Sequence, residues 1–380
     1  MLSHCSRRVG LGVLCCALLV PSVRAQTSSS GLPGPWSSGP GCCPLAPPSS
    51  VVPPGTTTPD RPATSAPTDI GGTLTAQDTA PSFAGAPGPA TGGAYNTSSL
   101  YVDSAIPFSH FRLRFDSMYD LNRPDRGEFF YAKCGCFRFA PPGAGFDPTA
   151  RGPILPETKI DSAQDLFSYL EYAPSDRFSA FVEVPVRWIN PQQNDNGSGL
   201  GDINAGFKYA FVRDDCRVLT FQFRTYMPTG DGDKGLGVEH VSLEPALLMY
   251  QRLGDRLFLE GEFRYWLPID GTNFASNVVR TGASLSYLAV DTGRFRVLPV
   301  TELVGWTFLN GKELAFPENV IRNAAGDTIV NAKVGLRVSL GDLSQPGFLS
   351  GSDIGISYGR PLTGEVIYKD IYRLEMRLRF

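Results

Sequence analysis

The end of the chain separates apolar from charged residues with a period of two. Tyr372, Leu374, Met376, Leu378 and Phe380 fall on one side of an extended chain, and Arg373, Glu375, Arg377 and Arg379 on the other. A helix would mix these sets at every turn, whereas a strand keeps them apart. The alternation recurs upstream. Ile203, Ala205, Phe207, Tyr209 and Phe211 alternate with Asp202, Asn204, Gly206 and Lys208; beyond residues 213–216, Leu219, Phe221, Phe223 and Thr225 alternate with Thr220, Gln222 and Arg224. Two such runs across so short a turn predict an antiparallel hairpin. Leu257, Leu259, Gly261, Phe263 and Tyr265 face away from Phe258, Glu260, Glu262 and Arg264, and Val330 to Leu340 repeats the pattern around Asn331, Lys333, Gly335, Arg337 and Ser339.

A single strand of this kind suits a soluble sandwich as well as a membrane barrel. Connection lengths separate the two. Short turns near 173–177, 213–216, 252–256 and 289–294 alternate with longer Gly-, Asn- and Asp-rich loops near 190–201, 228–240, 268–277 and 309–328. Short connections on one side and long ones on the other mark an outer-membrane barrel. Counting back from Phe380 predicts strands near 367–380, 352–361, 329–340, 294–308, 278–288, 256–267, 241–251, 217–227, 202–212, 177–189 and 165–173. A first strand is carried by Phe111, Leu113 and Phe115 alternating with Arg112, Arg114 and Asp116, which makes the count even. The predicted fold is therefore all-β, an antiparallel up-and-down transmembrane β-barrel of twelve strands within residues 99–380. Residues 128–134 fall in a long outer loop; if they span instead, the count becomes fourteen. Trp188, Tyr265, Tyr287, Tyr358 and Tyr372 lie near strand ends on the outward set, where an aromatic girdle is expected.

Composition divides the 380 residues further. Arg7 and Arg8 precede an apolar stretch from Val9 to Val20, Pro21, and Val23-Arg24-Ala25, so residues 1–25 read as an export signal cleaved between Ala25 and Gln26. Residues 26–98 are rich in Pro, Gly, Ser, Thr and Ala and carry only Asp60, Arg61, Asp69 and Asp78 as charges. Their sparse apolar side chains predict a disordered spacer, or a tether to the envelope. Past the signal no run of about 18 apolar residues exists, which excludes a helical membrane protein. A net charge of −3, from 34 Lys and Arg against 37 Asp and Glu, argues against a basic nucleic-acid binder. Of the eight cysteines, Cys42, Cys43, Cys134, Cys136 and Cys216 follow the signal. Export permits disulfides, and Cys134 and Cys136 project on the same side of an extended chain but lack the further ligands of a zinc site.

Chemistry in such a barrel belongs to the inward set. It contains Arg112, Arg114, Arg187, Lys208, Arg224, Arg264, Lys333, Arg337, Arg373 and Arg377 with Glu244, Glu260, Glu262, Glu302 and Glu375. Twelve tilted strands enclose a backbone diameter of roughly 24 Å, so these side chains either interlock as ion-pair ladders or line a narrow constriction with mild anion preference. Gly197-Ser-Gly199-Leu-Gly201 precedes a strand rather than a helix, which removes the nucleotide reading. Asp231-Gly-Asp233 lacks the spacing of a calcium loop. An outer-membrane hydrolase would need a nucleophile, a base and an orienting acid in reach. Ser242 lies two residues from His240 on one face, with Glu244 below it and His110 at the far end of another strand. No catalytic set, cofactor or metal site is expected.

Gly199-Leu-Gly-Asp-Ile-Asn-Ala-Gly-Phe-Lys-Tyr209, then Tyr226-Met-Pro-Thr-Gly-Asp231 and Gly235-Leu-Gly237, resembles the outer-membrane family named for the MetA pathway of phenol degradation. The terminal Tyr372, Leu374, Met376, Leu378 and Phe380 resemble the signal read by the barrel-assembly machinery. The resemblance implies a twelve-stranded barrel passing small hydrophobic or aromatic compounds. The expected function is thus a narrow channel or uptake protein of the bacterial outer membrane. Its expected partners are membrane lipid, the assembly machinery and a small solute, with no nucleic acid. An envelope anchor acting through the Pro-rich tail is the alternative, and a hydrolase a more remote one.

Overall fold

The structure, a computed structural model, describes residues 99–142, 144–315, 320–340 and 351–380. Twelve strands form its wall: β1 (His110–Asn122), β2 (Lys159–Tyr172), β3 (Phe178–Pro191), β4 (Asn204–Arg213), β5 (Arg217–Tyr226), β6 (Val241–Arg252), β7 (Leu257–Ile269), β8 (Val278–Tyr287), β9 (Phe295–Phe308), β10 (Thr328–Leu340), β11 (Asp353–Pro361) and β12 (Asp370–Arg379). Each pairs antiparallel with its neighbours in sequence, and β12 pairs with β1 from His110↔Arg379 to Tyr119↔Asp370. The sheet therefore closes and leaves no free edge, which lipid would not tolerate. Two short strands, Gly197–Leu200 on β3 and Val290–Asp291 on β9, extend its rims. Residues 128–134 lie in the loop after β1, so the fourteen-strand count falls away.

The wall is built inside out relative to a soluble protein. Leu247, Phe263, Leu303, Val334 and Ile356 are exposed on its outer face, while Arg264, Arg337, Glu260 and Glu375 are buried within. Such an apolar exterior suits lipid. Aromatic residues collect at both ends. Tyr119, Tyr358 and Tyr372 cluster beside the long loops, with the ring centroids of Tyr119 and Tyr358 at 6.1 and 5.1 Å from Tyr372. Tyr172, Phe178, Tyr209, Tyr287 and Phe295 are exposed beside the short turns.

The inward face carries apolar as well as charged residues. Charge forms a belt across the middle, flanked by two apolar clusters. Leu121, Ile160, Ile189, Trp266, Val278, Phe308 and Ile329 fill the long-loop end. Val218, Leu248, Tyr250, Phe258 and Leu298 lie toward the short turns. Asp120, with φ at 51°, breaks the alternation of β1 without changing its pairing with β2, so Met118 and Leu121 are both buried.

Over the long-loop end, residues 123–158 and the hairpin Lys312–Ala315/Val320–Asn323 make a cap. Phe129 descends from it against Trp266 and Phe308, with ring centroids 5.1 and 6.1 Å apart. Arg126 binds Glu313 at 2.6 Å and Glu365 at 2.9 Å. Lys133, fully buried, donates to Asp147 and Asn273, both at 2.8 Å. Cys134 and Cys136 are joined as a disulfide within this cap. The export signal with Ala25 and Gln26, the Pro-rich tail, Cys42 and Cys43 lie outside the described residues.

Candidate functional site

Residues 99–109 belong to no strand and enter the barrel before β1 begins. A buried segment without a sheet partner must place its backbone polar groups elsewhere, and here the wall's charged side chains take them. Glu302 accepts the N–H groups of Leu100, Tyr101 and Val102 at 3.0, 3.1 and 3.3 Å. Glu260 accepts that of Ser99 at 3.0 Å, and Glu262 that of Asp103 at 3.1 Å. In return Arg337 donates to the Ser99 carbonyl at 2.8 Å and Arg280 to that of Tyr101 at 2.6 Å. Arg373 and Thr220 donate to the carbonyls of Leu100 and Ala105. Ala105 and Ile106 complete the apolar cluster toward the short turns.

Two side chains of this segment are held by cations. The Asp103 carboxylate lies 2.6 Å from Arg264, 2.8 Å from Arg224 and 3.6 Å from Arg112. The Tyr101 ring lies between Lys333 Nζ, 3.3 Å from its centroid, and Arg373 Cζ at 3.7 Å. Shape is matched as well. A Cβ added at Gly335 or Gly355 would come within 2.4 Å of Leu100, and one at Gly282 within 2.9 Å of Val102, so glycine in the wall makes the notch in which the segment lies. A remaining cavity of about 10 Å³ beside Ser104, His110, Tyr169 and Lys208 has room for about one water.

Most of the predicted inward residues meet this segment. Arg112, Arg224, Glu260, Glu262, Arg264, Glu302, Lys333, Arg337 and Arg373 touch it through the contacts above. Others pair within the wall. Lys208 binds Glu171 at 2.9 Å, Glu244 binds Arg264 at 2.7 Å, Arg377 binds Asp353 at 2.8 Å and Glu375 binds Arg337 at 2.7 Å. Arg114 lies 3.7 Å from Glu183 and over the Phe167 ring at 3.9 Å. Arg187 grips Asp165 at 2.9 and 3.2 Å and donates to the Phe130 carbonyl at 3.0 Å, tying wall to cap. Asp202, which the alternation puts on the same face as Lys208, instead accepts the N–H groups of Gly230 and Val238 at 3.0 and 2.8 Å and fastens the loop before β6. Asp231 and Asp233 pair with Lys234 at 2.9 Å and Arg138 at 3.1 Å.

The cap brings together what a hydrolase would need, through a residue that strand phasing did not offer. Ser242 Oγ lies 3.1 Å from His240 Nδ1, and Glu128, not Glu244, approaches His240 Nε2 at 3.7 Å. Glu128 is already engaged by Thr272 Oγ1 at 2.6 Å and the Lys133 N–H at 3.2 Å. Ser242 is wholly buried, so no substrate carbonyl reaches its oxygen in this arrangement. His110 lies at the other end of the wall, on β1, with Nδ1 3.1 Å from the Phe108 carbonyl.

Asp125 gives the cap a pH dependence. It is buried beside Glu313 and Glu128 and accepts the Leu314 N–H at 3.2 Å. Burial, with those two charges adding to it, pushes its carboxyl up to about 8. A carboxyl raised on folding favours the protonated form, so its contribution is complete below the unfolded value of about 4 and is lost as pH rises through 8. The urea midpoint of the folded chain is expected to fall between pH 5 and pH 9, and Asp125→Asn is expected to flatten that fall.

The residues that carry the family resemblance interlock. Besides Asp202, Thr229 Oγ1 donates to the Gly201 carbonyl at 2.8 Å and accepts the Ile203 N–H at 2.9 Å. A Cβ at Gly237 would lie 2.5 Å from Asp202 Oδ1, so the Gly-Leu-Gly-Asp and Gly-Leu-Gly stretches are two faces of one loop clamp.

No protein-family model matches the chain, and no curated protein matches it. The chain is similar to the NanC porin in its rhombohedral crystal form, at 12% identity and a TM-score of 0.40, over 71% of this chain and 100% of that one. It is similar to the COG4313 outer membrane channel from Pseudomonas putida F1, at 14% identity and a TM-score of 0.42, over 75% and 97% of the two chains. LpxR from Salmonella typhimurium matches at 10% identity and a TM-score of 0.37, over 71% and 100%. At these values the function has to be read from the residues of this chain.

Proposed function

We propose that the protein is an outer-membrane channel or uptake barrel for small solutes whose passage is closed by its own residues 99–109. One observation carries this reading: the middle of the lumen is filled by a segment of main chain that is not part of the wall, held by polar contacts and a glycine notch. A barrel filled only for rigidity needs no such segment, because wall side chains can interlock directly. The aromatic long-loop end, with Trp266, Tyr226 and Phe308, supports a solute with an apolar body, in keeping with the local resemblance to the phenol-degradation family. Within this reading, residues 1–25 export the chain, residues 26–98 form a spacer ahead of the segment, and the last strand is read by the assembly machinery.

The test is a reversible lock. A Cβ at Gly282 would lie 2.9 Å from Val102 Cγ2, which makes these two positions the pair to replace by cysteine. In planar bilayers the full-length Val102→Cys/Gly282→Cys protein is expected to be silent when oxidised and to show voltage-driven openings when reduced. The unmodified chain serves as the control in both conditions. Openings of the same size in the oxidised protein would mean that the segment does not close the passage.

A further inference from the structure

We propose that Arg112, Arg224 and Arg264 form a binding site for the carboxylate of a small acidic solute, and that Asp103 occupies this site as an internal stand-in. The proposal rests on the channel reading and gives it a solute class.

The three guanidiniums converge on one carboxylate from different strands: Arg112 on β1, Arg224 on β5 and Arg264 on β7. None can lose its proton to relieve burial. The wall carboxylates within reach are shared. Glu183 lies 3.0 Å from Arg112 and 3.7 Å from Arg224, and Glu244 lies 2.7 Å from Arg264 and 3.9 Å from Arg224. Glu262 is divided between Arg264 at 2.9 Å and Arg280 at 2.8 Å. Three cations thus share Glu244, half of Glu262 and a Glu183 that also serves Arg114 at 3.7 Å, and Asp103 supplies further negative charge.

These wall contacts also hold the guanidiniums in place when Asp103 leaves. Each keeps at least one wall carboxylate, so the site persists as an anion receptor with a surplus of positive charge. Asp103 sits on an irregular segment, and that segment is the part of the lumen able to move without breaking the sheet. A solute carboxylate that takes the guanidiniums displaces Asp103 and loosens residues 99–109, so the solute opens its own path.

Chemical rescue in the full-length protein tests the site. Asp103→Ala in detergent is expected to unfold at a lower temperature. Tens of millimolar formate, the size of the missing carboxylate, is expected to restore more than half of the loss, whereas chloride at equal ionic strength restores little. If Asp103→Ala folds only with formate present, the result has the same meaning. Asp103→Ser, which also leaves the carboxylate's space open and removes the charge, provides a second variant, with formate again expected to stabilise it more than chloride. Equal effects of formate and chloride in both variants would overturn the site. That failure is distinct from failure of the channel reading, which is judged by conductance in the locked protein. Formate rescue in a barrel that never conducts would leave an anion pocket and overturn its role in passage.

Discussion

Replacing Gly355 by Val is expected to turn a closed barrel into a conducting one. A Cβ at this position would lie 2.4 Å from Leu100 Cδ2, while its next neighbour, Arg337 Cζ, is 3.4 Å away. Valine suits a strand better than glycine does, so the wall keeps its pairing and Leu100 must give way. Expelling one leucine forfeits roughly 2 kcal/mol of burial. It also pulls the Leu100, Tyr101 and Val102 N–H groups off Glu302. Full-length Gly355→Val in planar bilayers is expected to show stepwise current at voltages where the unmodified protein is silent. A folded variant that stays silent would make residues 99–109 a permanent filling.

Arg264→Met is expected to destabilise the barrel by about 3–5 kcal/mol, the usual cost of removing one partner from a buried charge set. Arg264 is 0% exposed and contacts Glu262, Glu244 and Asp103. Methionine fills part of the space but leaves three carboxylates facing one another with less cation between them. The loss would appear as a lower urea midpoint and as earlier heat-induced unfolding on a gel. Arg360→Ala offers the contrast: its side chain is 65% exposed and lies 3.7 Å from Asp370. That change is expected to cost less than about 1 kcal/mol.

The wall was legible because lipid imposes one rule on every strand. Outward positions are mostly apolar, so the alternation survives in sequences such as Tyr372 to Phe380 and marks both phase and ends. Between strands that rule lapses. Residues 99–109 obey no period, since their hydrogen bonds go to side chains far along the chain, Ser99 to Glu260 and Leu100 to Glu302. Periodicity reports local geometry and is blind to such partners. The inward charges were therefore visible one at a time, while their convergence on Asp103 was not. The approach of Glu128 to His240 stayed hidden for the same reason, because the loop that carries Glu128 is placed by contacts with Thr272 and the cap. The strand pattern gives Gly335 and Gly355 no special part, whereas in the fold the Leu100 side chain lies against both, with the Ile356 carbonyl also close to Gly335.

The position of residues 99–109 in the chain constrains how the ring can be assembled. They run directly into β1, and β1 is the strand onto which β12 closes. The segment and the seam thus share β1: until residues 99–109 dock against Glu260, Glu302 and Arg264, the belt of charge stands without these partners, and the strand they lead into is also the one on which the ring closes.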